Sequence, residues 1–262
     1  MLQGYEVEIR NETHRANLLR DARYFHLKGL EQKLVPCKKS YNLKKRQNEI
    51  LIRLEDIRQS GVSFMSDAAF ANSDLSTPEI GHVSYARPYT DDATSNSVLV
   101  LETSSSESTT LYPSPSFTTQ PDTLFAEVTF HGDTLRRMTS LLKIIASKMG
   151  LPSTQTLIKT QPGNPLLAAA TARASETRFK VLIDSDCALT IDGQDNNVAN
   201  VTSWKSEENQ EWVLRRAHWR IRVEPADGAE DGDMQAVLEA VKVEAFTKEK
   251  SRNAMRGFLG AA

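Results

Sequence analysis

The sequence predicts an α+β fold: a helical hairpin, then an α+β domain with a mainly antiparallel sheet and a disordered insertion. Three observations point there. Residues 11–34 repeat apolar positions at helical spacing, whereas 49–57 and 126–130 alternate as half-buried strands do. Strands and helices follow one another without the regular alternation of a parallel α/β sheet. The expected divisions are 1–36 for the hairpin unit, 37–48 for a basic connector and 49–250 for the α+β domain, with 251–262 as a tail.

In the hairpin, Asn11 suits an N-cap and Glu12 the positive end of a helix dipole. Ala16, Leu19, Ala22 and Phe25 form an apolar stripe, with Arg15, Arg20, Asp21 and Arg23 turned to water. Leu27, Leu30 and Leu34 continue it in a second helix that Pro36 ends. Any amphipathic helix pair gives this pattern. Lys38, Lys39, Lys44, Lys45 and Arg46 make the next segment basic, and Ile50, Ile52 and Leu54 then mark one face of a strand. A helix is the competing reading there.

Residues 66–79 read as a small-residue loop, and 83–85 and 98–101 as strands interrupted by Arg87-Pro88. The Ser, Thr and Pro content of 102–122 leaves little to bury, so that segment is expected to be disordered, with Ser114-Pro115 as a candidate phosphate acceptor. A helix over 134–149 buries Leu135, Met138, Leu141, Leu142 and Ile145, with Asp133 as its cap. A short helix at 166–174 and strands at 179–183, 188–191, 212–214 and 219–223 follow. Val237, Leu238, Val241 and Ala245 predict a closing helix over 234–250.

The order of residue types adds a resemblance. Leu18-Leu19, the patch around Ala22 and Phe25, and Leu27-Lys28-Gly29-Leu30 with Leu34 resemble the closing helices of a BTB/POZ domain of the potassium-channel-tetramerisation type. Leu2-Gln3-Gly4-Tyr5 before it, the run 49–62, Val83 to Tyr89, and Trp212 with Trp219-Arg220 are similar to a fungal BTB family. That family includes a growth and general-stress-response regulator that activates a phosphatase. The resemblance implies that 1–36 is the C-terminal remnant of a BTB domain whose earlier strands are missing, through a truncated gene model or a fragment. It also implies a protein-contact platform, homo-oligomerisation where the full domain exists, and a phosphatase among the partners.

Composition sets wider bounds. With 39% hydrophobic and 25% charged residues over 262 positions, the chain has the make-up of a globular protein with a sizeable core. Its net charge of −2 gives no overall pull towards nucleic acid or anionic membrane. No apolar run reaches a membrane span, and no signal peptide is read at Met1. Cys37 and Cys187 define no disulfide framework, which suits a reducing compartment: the cytoplasm, with the nucleus as alternative.

Catalytic motifs are sparse. Val181-Leu182-Ile183-Asp184-Ser185-Asp186 resembles the strand and Asp-x-Asp start of a haloacid-dehalogenase phosphatase, with Asp184 as nucleophile and Asp186 as acid/base. Ala188 stands where that family has Thr or Val, and Asp and Ser also make ordinary turns. The scattered histidines and the segment 192–196 fit neither a zinc nor a calcium site, and no cofactor is expected. The basic cluster 215–222 is hemmed by Glu207, Glu208, Glu211 and Glu224, which argues against nucleic acid. The expected function is therefore a non-enzymatic adaptor that contacts proteins through Leu19, Phe25, Leu30, Trp212 and Trp219. The alternatives are a hydrolase built on Asp184 and Asp186, or a nuclear regulator.

Overall fold

Asn11 begins the first helix by accepting the His14 amide on its side-chain oxygen at 2.8 Å. The computed structural model describes residues 8–66, 80–92, 96–113, 123–152, 157–158, 177–198, 211–226 and 233–247. Helices α1 (Glu12–Tyr24) and α2 (Lys28–Leu34) lead into the hairpin β1 (Cys37–Asn42) and β2 (Gln47–Arg53). After two short 3-10 turns at Leu54–Asp56 and Gln59–Gly61 come β3 (Val62–Ser66), β4 (Gly81–Tyr85), β5 (Ser97–Pro113) and β6 (Leu124–Thr129). Helix α3 (Gly132–Lys148) precedes β7 (Arg178–Ile183), β8 (Ala188–Ile191), β9 (Gln194–Asn196), β10 (Trp212–Pro225) and β11 (Met234–Thr247).

Five of these strands close on themselves in the order β5-β6-β7-β11-β10, with β10 returning to pair β5. Only β7 and β11 run parallel within the ring. Closure requires strong curvature. Register shifts between Leu214 and Arg216 and between His218 and Trp219 supply it, because an extra residue on one strand bends and twists the ladder.

Register places Leu111 beside Val128, Ala126 beside Val181, Val181 beside Leu238, Leu238 beside Ile221, and Trp219 beside Leu101. All eight are buried in one continuous core. β2 joins the first part of β5 in parallel, so Ile50 and Ile52 align with Leu99 and Leu101 and extend that core. α3 adds Met138, Leu141, Leu142 and Ile145 to it. The helical hairpin docks through buried Ala22, Leu34 and Val35, with Leu19 packed at the margin.

The expected α+β architecture, a BTB-type helical hairpin followed by an α+β domain, is corrected. The protein is mainly β, built on a closed five-stranded barrel, with three helices among the described residues. The segment read as a closing helix is β11. β10 pairs one of its edges and β7 and β8 the other, and residues 234–240 are buried on both faces, so it carries a largely apolar run instead of strand alternation. The expected disorder fails for 102–113, which continues β5 between β10 and β6. The basic connector 37–48 is largely the β1–β2 hairpin, with Lys38 and Lys39 exposed on an edge strand. His131, not Asp133, precedes α3; Asp133 instead pairs with Arg136 and with Arg137 at 2.8 Å. The expected helix at 166–174, Ser114-Pro115, most of the loop at 66–79 and the tail at 251–262 lie outside the described residues.

Candidate protein-contact site

Trp212 and Trp219 do not form a contact surface. Both are fully buried, and the Trp219 indole donates to Thr103 Oγ1 at 2.9 Å. Long strands β10 and β5 bring that pair together across the barrel seam, where an aromatic residue in half-apolar, half-polar surroundings needs such an acceptor.

Asp184 and Asp186 sit in the turn between β7 and β8. The Asp184 carboxylate accepts the Asp186 amide at 2.9 Å, and its carbonyl accepts the Cys187 amide at 3.1 Å. Asp186 pairs with Lys44 of the β1–β2 turn at 2.5 Å, which raises the Lys44 pKa through the hydrogen bond and the charge of Asp186. Each carboxylate thus has a turn-forming or bridging contact. Among the described residues no group of His, Cys, Asp and Glu side chains could hold a metal ion.

The hairpin behaves differently. Leu19 and Leu30 are half-buried, but Phe25 is 65% exposed and Tyr24, which meets it edge to face at 5.0 Å, is 76% exposed. They lie between Arg23 and His26, both of which line a cleft of about 640 Å3. The cleft runs between the hairpin, the segment 55–60 and the loop 88–89, which brings Tyr89, 70% exposed, to its edge. Tyr89 and α2 are close neighbours, since a Cβ on Gly29 would lie 3.9 Å from Tyr89 Cβ.

Ion pairs fix the floor of the cleft. Arg23 donates from Nε to Glu31 at 3.1 Å and from Nη2 to Asp56 at 3.0 Å, and Arg58 also pairs with Glu31. The hairpin is thereby tied to the barrel side by charge as well as by packing. Burial, then the neighbouring Glu55 charge, push the Asp56 pKa up despite Arg23. The Arg58 amide donates to the Tyr85 hydroxyl at 3.2 Å, and burial raises the pKa of that phenol.

A second lock holds Tyr89. Asp91 accepts from the Arg87 amide at 3.0 Å, from Arg87 Nε at 3.2 Å and Nη2 at 2.9 Å, and pairs with Lys39 Nζ at 2.9 Å. Burial opposes its charge, but the bonds from Arg87 and Lys39 prevail and hold the carboxyl well below the usual carboxylate range. Gly61 supports the loop from beneath: its carbonyl accepts the Ala86 amide, and a Cβ there would lie 2.3 Å from the Ala86 carbonyl oxygen.

Of the expected contact residues, the structure therefore leaves Phe25 exposed, half-covers Leu19 and Leu30, and removes both tryptophans. Sequence reading missed Tyr24, Tyr89 and the charges of the floor. Tyr89 had a signal, Arg87-Pro88-Tyr89 followed by Asp91, which is turn chemistry around an aromatic residue. Glu31 and Asp56 had none, because their partners are brought in by tertiary structure.

Among the described residues no helix is long and apolar enough to cross a membrane. The chain is 33% identical to an uncharacterized protein of Saccharomyces cerevisiae, YDR132C, over 73 residues. That match covers 28% of this chain and 14% of the yeast protein, so the chain matches only a small part of that relative. No family model matches the sequence. No solved structure matches it either.

Proposed function

We propose that this chain is a non-enzymatic adaptor or regulatory protein that holds a partner protein at the rim formed by Tyr24, Phe25 and Tyr89. The observation that carries this reading is the exposure of three large aromatic side chains, Tyr24 and Phe25 at the end of α1 and Tyr89 on the edge of the ion-locked cleft that the neighbouring Arg23 and His26 also line. Tyrosine and other aromatics supply much of the binding energy at protein interfaces, because they bury large area with few rotatable bonds. The resemblance to the fungal phosphatase-activator family makes a protein phosphatase the first client to test, in the cytoplasm. Self-association would be a further mode of contact.

The test is photocrosslinking in yeast cells, with p-benzoylphenylalanine replacing Phe25 in one version and the exposed Tyr41 in another. The reading expects a discrete crosslinked protein from position 25, absent from position 41, and identified by mass spectrometry. Identical crosslinking from both positions would overturn it.

A further inference from the structure

Charge in the cleft is divided by depth. Glu31 and Asp56 are buried, whereas Arg23, Arg58 and Arg137 keep about half of their side-chain surface in solvent. Lys28 and His26 are exposed beside them. Glu55 is the acid that faces solvent among the described cleft residues. The buried carboxylates hold the guanidinium groups from below, and the cations meet the ligand side. Each arginine has five N–H donors. Arg58 commits Nη2 to Glu31, and Arg23 commits Nε and Nη2, so both retain donors for a further acceptor.

Of the four described non-glycine residues with positive φ, two lie at this cleft and two, Arg46 and Asp192, in the β1–β2 and β8–β9 turns. His26 and Tyr89 have φ values of 54° and 65°, the left-handed region that is costly for residues with a Cβ. Such conformations persist where the surroundings enforce them, and they concentrate at binding sites. Here they lie at two edges of one cleft, and Asp91 enforces the second.

We infer that the cleft receives an acidic segment of the partner protein, whose carboxylates meet Arg23, Lys28 and Arg58 while an apolar side chain packs on Tyr89. This rests on the adaptor reading above and adds the chemistry of the client. A preformed set of cations with fixed guanidinium planes suits carboxylates, which accept paired N–H bonds. Binding is then fast at low salt and weakens as salt screens the exposed cations.

The experiment measures fluorescence anisotropy of a short fluorescein-labelled glutamate peptide with a central tryptophan, added to the full chain. A glutamine counterpart and labelled oligouridylate are run alongside. Lys28 makes no side-chain ion pair among the described residues, so Lys28→Glu is expected to fold; circular dichroism checks this. Lys33→Glu, exposed on α2 but outside the cleft, is the control. The expected result is saturable binding of the glutamate peptide alone, weakened about tenfold by Lys28→Glu and less than about twofold by Lys33→Glu. Tyr89→Ser should weaken it as well. Equal losses in the two lysine variants, or no binding, would overturn the inference, as would tighter binding of oligouridylate with the same Lys28 dependence. A crosslink from position 25 without peptide binding would sink the acidic-segment inference and leave the adaptor reading standing. Peptide binding without any crosslink would do the reverse.

Discussion

Arg220 on β10 donates to one oxygen of Glu49 on β2, from Nε at 2.9 Å and with Nη2 at 2.8 Å, although β5 lies between the two strands. Register explains the reach: Glu49 pairs with Val98 and Arg220 with Val100, so both side chains project from one face, two residues apart along β5. Asn42 and Gln47 also donate to Glu49, at 2.9 and 3.0 Å. The β1–β2 hairpin is thus fastened to the barrel through a buried, hydrogen-bonded ion pair.

Removing one member of that pair leaves the other buried and uncompensated. Glu49→Ala and Arg220→Ala should each destabilise by about 3–5 kcal/mol in urea unfolding. Glu49→Leu with Arg220→Met should recover most of the loss, since a well-packed apolar pair avoids desolvating two charges. Additive losses in the double variant would show that the two residues act independently.

Acid stability should carry the signature of Glu239. Burial works against its charge, yet His82, whose Nε2 lies 3.5 Å away, and Lys45, which donates to it at 2.9 Å, hold its pKa at about 2, below the ordinary 4.5. A carboxyl with a lower pKa folded than unfolded stabilises fully above its unfolded value, and that contribution fades as pH falls from about 4.5 to about 2. Glu239→Gln should therefore unfold at lower urea than wild type at pH 7, by on the order of 2–3 kcal/mol, with the gap closing in acid. Asp56 has the opposite sign. Burial and Glu55 raise its pKa, so its charge opposes folding at neutral pH, and that cost is relieved as pH falls. Asp56→Asn should leave the neutral midpoint unchanged or higher.

The tryptophans should report on stability alone. Trp219→Ala empties a core position and should cost about 3–5 kcal/mol. Thr103→Val leaves the indole N–H without its acceptor and should cost about 1–3 kcal/mol. Partner crosslinking from position 25 by molecules that remain folded should match wild type. A selective loss of crosslinking in Thr103→Val would return the tryptophan strands to the contact surface.

What the sequence made legible was local. Asn11 caps α1, the alternation of Ile50 and Ile52 marks β2, and the stripe from Met138 to Ile145 marks α3, because each signal is contained in a few neighbouring residues. What it concealed was set by distant partners. Val237 and Leu238 read as helix formers, but β10 and β7 claim both edges of their backbone. Thr103, Thr109 and Thr110 look like linker residues, yet they supply ladder hydrogen bonds and β-branched side chains inside β5. The same holds at the site. Phe25 was visible as a periodic apolar residue, but only the fold shows that it stays exposed, that Trp219 does not, and that Arg23 and Arg58 converge on Glu31.

Tyr89 should show a trade between stability and binding. Its φ of 65° suits glycine, so Tyr89→Gly should lose none of the fold's stability and gain up to about 1 kcal/mol in urea unfolding. Partner crosslinking from position 25 should nevertheless fall, because the aromatic face is gone. A variant that is less stable and still binds fully would mean that Tyr89 packs for the fold and not for a partner.

A partner held on the aromatic rim must lose its grip when Phe25 and Tyr89 both become serine. The decisive measurement is quantitative mass spectrometry of proteins recovered with the Phe25→Ser, Tyr89→Ser chain and with wild type after brief lysine crosslinking in cells, at matched thermal midpoints. The predicted result is a loss of more than about tenfold, confined to the protein that crosslinks from position 25, because interface aromatics carry a large share of binding energy. Recovery of that protein in equal amount by the folded double variant would contradict the rim as the contact surface.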